Sequence, residues 1–471
     1  MIELKKTVDF TDIYKETEKL ERHYSDILKE DATLNRQSVS FQDNKKKPGF
    51  RWYKFKEAFS YSLVSYFIKK YKLEYKNILD PFAGVGTTLF AASSFGCNTV
   101  GIELLPVGQK IIEDKIITHY GNNDEIKKSL KEINLNKYWK LNKMKTNKLN
   151  ELRITKGAYP DETRANIERF LTYLNGSKNN VKATLELALL SILEEISYTR
   201  KDGQYLRWDY RANRSHGKTK FNKGKIQTFD EAMRKKLRQI IEDLQGRNDY
   251  TLFPNMDPDY NKGRIELIKG SCLNELPNLD DNLFNAIITS PPYCNRYDYT
   301  RTYALELALL GVNEIELSTL RQNMLTCTVE NKEKDLLAIR PEWQIALDAT
   351  NQIQALKNIL NYLELLKLQK KLNNNAIVRM IKGYFLELSC VIYEAFRVLK
   401  KQGLFIMVND NVRYAGVGIP VDLILSRIAE NIGFRIVNIL VLPQKKGNSS
   451  QQMGLHGRKE QRKCVYIWEK T

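Results

Sequence analysis

The chain has 471 residues, 42% of them apolar and 28% charged, an ordinary balance for a folded protein whose core needs neither disulfide nor metal. Lys and Arg number 75 against 56 Asp and Glu, and the surplus of +19 implies a polyanionic partner, either nucleic acid or an acidic membrane surface. No apolar run approaches the roughly 18 residues of a membrane span, no signal-peptide core follows Met1, the six Cys form no CxxC pair and the four His are too few for a His-built metal centre, so a reduced, cytoplasmic, metal-free protein is expected.

Along the chain, Phe10, Ile13, Leu20, Tyr24, Ile27 and Leu28 fall at helical spacing within residues 8–34. Residues 43–48 read as a linker, and a second helix is predicted between Phe50 and Tyr71. At Asn77 the pattern changes to strand 77–80, a Gly-rich turn, a helix from Leu89 and strand 98–103, the unit from which open parallel sheets are built. Residues 107–262 read as mostly helical and rich in Lys and Asn, interrupted by a basic loop at 197–225. Strand signals return at 264–268 and 284–288, residues 311–378 are again helical with a Leu/Ile stripe from Ile353 to Leu368, and helix 385–399, strand 404–408, helix 421–431 and strands 434–442 and 464–468 complete the chain. The expected organisation is thus a sheet-bearing domain in three pieces, 46–106, 263–310 and 379–471. A helical lead-in, 1–45, precedes it, and two largely helical insertions, 107–262 and 311–378, interrupt it.

Two motifs carry chemistry. In Asp80-Pro81-Phe82-Ala83-Gly84-Val85-Gly86-Thr87-Thr88 a strand turns tightly into a helix, and Gly84 and Gly86 leave room for a ligand against bare backbone. A dinucleotide fingerprint would carry a third Gly where Leu89 stands. Asp80 is placed to pair with a cationic ligand group, and Glu103, at the end of the next strand, to accept from two ribose hydroxyls. The second motif, Thr289-Ser290-Pro291-Pro292-Tyr293, follows a buried strand. Its prolines lack N–H donors and leave neighbouring carbonyls unpaired, Ser290 offers a hydroxyl, and Tyr293 offers a flat face, a set suited to gripping a planar heterocycle that bears an amine.

Together the two motifs resemble the class I S-adenosylmethionine-dependent amino-methyltransferases of DNA. The resemblance covers the three sheet pieces, about half of the chain. It implies an α/β, Rossmann-like methyltransferase sheet, mostly parallel with an antiparallel last strand, and S-adenosylmethionine as cofactor. It also implies direct transfer of a methyl group to the exocyclic amine of a base flipped out of double-stranded DNA. The segment Arg51-Trp52-Tyr53-Lys54-Phe55-Lys56-Glu57 is similar to the element that covers the methionine end of the cofactor in that family, which places Trp52 and Tyr53 at the cofactor. Ser271 and Cys272 stand at the third strand end, where the family usually has an acid near the adenine. Ser290, Pro291, Pro292 and Tyr293 match the catalytic motif, in the Ser form usual for N4-cytosine enzymes; Asp or Asn there is usual for N6-adenine enzymes. The cofactor motif precedes the catalytic motif here, whereas many N4-cytosine enzymes have the reverse order, so the subclass stays open.

The stretch 197–225 holds nine Lys or Arg against two Asp, interleaved with Tyr and Trp, a composition suited to phosphate contact and stacking. Arg200, Lys201, Arg207, Arg211, Arg214, Lys218 and Lys220 are the DNA-contact candidates there, and Arg296 and Arg301 are candidates beside the catalytic loop. The tail adds Lys445, Lys446, Arg458, Lys459, Arg462 and Lys463, on a loop that either touches DNA or is a solvated hairpin tip. Cys294 suggests 5-methylcytosine chemistry through a thiol nucleophile, but the Pro-Cys dipeptide and the Glu-Asn-Val segment of that chemistry are missing, so Cys294 reads as a packed small residue. Pro258, Asp259, Glu266 and Lys269 do not have nuclease spacing. The leading expectation is a prokaryotic cytosine-N4 methyltransferase of a restriction-modification or defence system, with a cognate endonuclease or defence proteins as partners. The alternatives are an adenine-N6 enzyme, an RNA N-methyltransferase acting on tRNA or rRNA, or a DNA-binding protein with a decayed site.

Overall fold

The computed structural model describes residues 10–31, 33–34, 38–121, 123–140, 147–202, 205–214, 220–245, 262–443 and 461–471. Its strands are β1 (Leu28–Glu30), β2 (Asn77–Asp80), β3 (Asn98–Glu103), β4 (Thr199–Asp202), β5 (Tyr205–Trp208), β6 (Ile265–Lys269), β7 (Phe284–Thr289), β8 (Leu399–Asp410), β9 (Val412–Tyr414), β10 (Val417–Ile419), β11 (Phe434–Val441) and β12 (Lys463–Lys470). The short apolar runs read from the sequence become the central strands. In β2, Ile78, Leu79 and Asp80 are all buried, as expected of a strand covered on both faces.

Among the described residues the central sheet has eight strands in the order β1-β11-β12-β8-β7-β2-β3-β6. The pairs β3/β6, β2/β3, β2/β7 and β7/β8 are parallel, and β12 runs antiparallel to both β8 and β11. This is the mostly parallel sheet with an antiparallel last strand that the sequence predicts. One edge was not foreseen. The segment after the first helix (Phe10–His23) extends into β1, which pairs in parallel with Ile439–Val441, so the lead-in contributes a strand to the sheet.

Alternation along the strands sorts the side chains into two cores. Ile78, Ile288, Ile406 and Ile467 face the helices Tyr61–Lys70 and Thr87–Ser93 and the first insertion; Leu79, Ile287, Phe405 and Trp468 face the helices Ile377–Val398 and Val421–Ile432 and the second insertion. The first insertion thus lies on one face; the second begins on that same face, where Val312, Leu317 and Met324 join the first core, and from Leu325 onward packs on the other. Of the predicted Leu/Ile stripe, Ile353, Leu356, Ile359 and Leu363 are buried in the second core, and only its end, Leu368, is 60% exposed. No helix among the described residues is long and apolar enough to cross a membrane.

Candidate active site

Strand order places β2, β3, β6 and β7 side by side, so their carboxyl ends, and the loops that follow them, share one rim. The turn after β2 is closed by Gly86 at φ +79°, in the left-handed region. A Cβ there would meet the Phe90 ring at 2.9 Å. Gly108, on the helix Pro106–Tyr120, lets that helix approach the turn, since a Cβ would lie 2.4 Å from the Gly84 carbonyl oxygen and 2.7 Å from Glu103 Cγ.

Two buried carboxyls stand at the rim. Asp80, 2% exposed, accepts from the Thr289 hydroxyl at 2.6 Å and from the Phe82 amide at 3.1 Å. Burial pushes it up to about 6, against those hydrogen bonds. Its bond to Thr289 ties the first motif to the residue before Ser290. Glu103, 8% exposed, accepts from the Gly84 and Leu105 amides, both at 2.7 Å and one on each oxygen. Burial raises it to about 8.

An open cleft joins the two motifs. Asp80, Pro81, Phe82, Ala83, Gly84, Thr87, Glu103, Ser271 and Cys272 line it, and so do Ser290 and Pro292. Pro291 and Tyr293 lie behind that lining. Tyr293 is half-buried, its hydroxyl accepts from Ser290 Oγ at 3.0 Å, and Lys463 on β12 sits 5.2 Å from its ring centre. Thr88 is turned to the core, where its hydroxyl bonds the Ile288 carbonyl. Ser271 Oγ donates to the Asn323 carbonyl at 2.8 Å. Cys294 is fully buried, and burial pushes its thiol far above the usual range, which suits a packed residue.

The structure corrects two cofactor candidates. Trp52 is fully buried with its indole N–H on Asp243, and the Tyr53 hydroxyl donates to Glu306, so neither lines the cleft. Phe55 and Glu57 of the same segment, and Ala58 and Phe59 just beyond it, line the cleft instead. The chain leaves the short helical turn Phe50–Trp52 in an extended conformation, which moves the cleft-facing positions a few residues on. Glu57 is held by the hydroxyls of Tyr297 and Tyr303. Asn323, Met324 and Leu325, at the end of helix Glu314–Asn323, also line the cleft. Nothing local in the sequence marks them, because the fold brings them there from the second insertion.

The basic stretch divides by strand parity. β4 and β5 form an antiparallel hairpin that pairs Arg200 with Arg207 and Lys201 with Leu206. Arg200 is exposed and Arg207 half-exposed, while Lys201 and Leu206 turn inward. Lys201 is 5% exposed, ion-paired with Glu306 and 4.2 Å from the Tyr303 ring centre, so its assignment to DNA contact is corrected. Arg211 is clamped by both oxygens of Asp209 and by the Gly224 carbonyl. Arg214 lies over the Trp208 ring and bonds the carbonyls of Arg153 and Ile154. Lys220 is exposed, and Lys218 lies outside the described residues, as do Lys445, Lys446, Arg458 and Lys459. Arg301 pairs with Asp298 and Glu330. Arg296 has φ +65°, and its buried Nε has no hydrogen-bond partner among the described residues.

The donor set of the cleft fits S-adenosylmethionine. Each oxygen of Glu103 keeps a lone pair for a ribose hydroxyl after accepting its backbone amide, and the bare backbone at Gly84 lets the ligand approach. A pH dependence follows. Protonating Glu103 replaces one acceptor by a donor, so cofactor affinity should fall as pH drops below about 8. A titration across that range should show the dependence in the parent chain and a flatter profile in Glu103→Gln; equal profiles would remove Glu103 from the ribose site.

Comparison with known proteins agrees with this geometry. Residues 3–114 match a family model described as N6/N4 DNA methylase. The type II methyltransferase M.AvaI, recorded from Nostoc sp. and from Anabaena variabilis, is 54% identical over 453 residues, spanning 96% of this chain and 92% of the relative. The type II methyltransferase M.BsoBI of Geobacillus stearothermophilus is 43% identical over 479 aligned residues, spanning 96% of this chain and 91% of the relative. No solved structure matches significantly. With the cofactor turn and the Ser290 loop on one cleft and relatives this similar along nearly the whole length, the chain belongs to the N6/N4 family of S-adenosylmethionine-dependent DNA amino-methyltransferases.

Proposed function

We propose that this protein is a site-specific cytosine-N4 methyltransferase of a bacterial restriction-modification system, acting in the cytoplasm beside a cognate endonuclease. The observation that carries the reading is that Ser290 and Pro292 line the same cleft as Asp80 and Glu103. The type II names of the relatives support the restriction-modification setting.

Bound S-adenosylmethionine supplies a methyl carbon activated by the adjoining sulfonium. The residues of this chain supply position. Ser290 commits its proton to the Tyr293 hydroxyl, which leaves its own lone pairs to accept an N–H from the target amine. That amine is a poor nucleophile, because its lone pair is conjugated with the ring. Accepting its protons at Ser290 and at a carbonyl beside the prolines localises the pair as the new bond forms, and holding the reactants in line supplies the remainder. Flipping the base costs a few kcal/mol.

The domain reading is kept as part of the proposal: residues 46–106, 263–310 and 379–471 carry catalysis, and 107–262 contacts the target. Arg200 and Arg207 support it. Arg200 is exposed on the hairpin, and Arg207 opposite it is half-exposed, paired with Asp202 and lying over the Phe221 ring, so the two present cationic groups on one face. Replacing both with Ala should reduce the slope of log K for DNA against log salt by about two; an unaltered slope would take the hairpin out of the interface. The substrate class is tested by offering labelled methyl donor with unmethylated genomic DNA and, separately, with total RNA. Label in DNA is expected, and label in RNA alone would replace this reading.

A further inference from the structure

Behind Phe55 and Ala58 lies a second, larger and open cavity, which shares with the donor cleft the wall made by Phe55, Ala58, Val85 and Thr87. Ten of its lining residues are Lys or Arg and three are Glu. Some of these charges have partners: Lys201 has Glu306, Arg51 has Asp243 and Lys225 has Glu231. Three lysines from three separate elements have only neutral hydrogen-bond partners among the described residues, with Glu194, Glu195 and Asp209 nearby for Lys223 and Glu195 and Asp243 nearby for Lys236. Lys115, 4% exposed, rests 3.3 Å from the Val85 carbonyl oxygen and over the rings of Phe50 and Phe90. Lys223 donates to the carbonyls of Glu194 and Ser197. Lys236 donates to the Trp52 carbonyl at 3.0 Å and to the Gln239 side chain at 2.8 Å. Burial lowers Lys115 to about 7 and Lys223 and Lys236 to about 8. Lys115 is buried with no carboxylate partner among the described residues, a costly arrangement for an ammonium, and the partly buried Lys223 and Lys236 add to a lining whose ten cations outnumber its three carboxylates.

We propose that this cavity is a phosphate-binding site, separate from the methyl-donor cleft. A phosphoryl group brings more than one negative charge and several strong acceptor oxygens, which matches a ring of point-charge ammonium donors better than a single carboxylate does. The phosphate has two possible sources, the backbone of a DNA strand entering past the exposed Arg200 and Lys225, or a free phosphorylated molecule. The site stands independently of which base is methylated.

The test titrates the full-length chain with inorganic phosphate by calorimetry at low salt, with S-adenosylhomocysteine present to fill the donor cleft. Saturable binding is expected, weakened about tenfold or more in Lys115→Gln and in Lys236→Gln. Retained S-adenosylhomocysteine binding shows that each variant is folded. DNA binding is then measured against salt. If the phosphate belongs to DNA, each variant reduces the slope by about 0.9 and phosphate competes with DNA. If it belongs to a small molecule, the DNA slope is unchanged and phosphate binds alongside DNA. Two results overturn the proposal: phosphate binding that survives in both variants, or no phosphate binding together with an unaltered DNA slope.

Discussion

Ser290→Ala should lower methyl-transfer turnover by about 100- to 1000-fold while leaving cofactor affinity unchanged. The size follows from removing one preorganised polar contact to the charge that develops at the reacting amine. The selectivity follows from position. Ser290 contributes one hydroxyl at the catalytic end of the cleft, whereas the groups assigned to the cofactor, Asp80 and Glu103, are held by Thr289 and by backbone amides that the substitution leaves in place. Tyr293→Phe should have a smaller effect in the same direction, because it frees the Ser290 proton without removing the hydroxyl oxygen. Turnover under saturating donor and DNA, set beside a donor-binding titration, reads both quantities. A Ser290→Ala enzyme with parental turnover would remove this residue from the chemistry.

Lys201→Met should destabilise the fold by about 3–5 kcal/mol without altering the salt dependence of DNA binding. Lys201 and Glu306 are both nearly inaccessible, at 4% and 1% of their side-chain surface. Glu306 also accepts the Tyr53 hydroxyl, so the pair joins the hairpin, the segment before the first motif and the helix Ala304–Leu309. Removing the ammonium strands the Glu306 carboxylate in the core. Urea denaturation should show the loss, and the double variant Lys201→Met with Glu306→Gln should recover much of it, because no charge is then left buried. A stable Lys201→Met chain with a reduced salt slope would return Lys201 to the DNA surface.

These two residues mark what the sequence made legible. Central strands are short apolar runs closed by turn residues, so β2, β3 and β7 stand almost where the pattern puts them, and the Gly-rich turn and the Ser290 loop must then share a rim. Parity in the hairpin was not legible. A basic stretch read by composition offers every Lys and Arg to DNA, whereas pairing Arg200 with Arg207 turns Lys201 inward. The same limit moved the cleft-lining positions from Trp52 and Tyr53 to Phe55 and Glu57, since the exit geometry of a short helical turn sets the facing side. Asn323, Met324 and Leu325 reach the cleft only through tertiary packing, and β1 is too short for its pattern to announce it.

The measurement that bears most directly on the central claim is nucleoside mass spectrometry. Unmethylated genomic DNA is incubated with the protein and S-adenosylmethionine, digested to nucleosides and analysed. N4-methylcytosine is the predicted product, absent when Ser290→Ala replaces the parent chain. N6-methyladenine would keep the cleft and its cofactor but contradict the reading of Ser290 as the cytosine-specific form, and the absence of any methylated nucleoside would contradict the assignment of the cleft to transfer onto DNA.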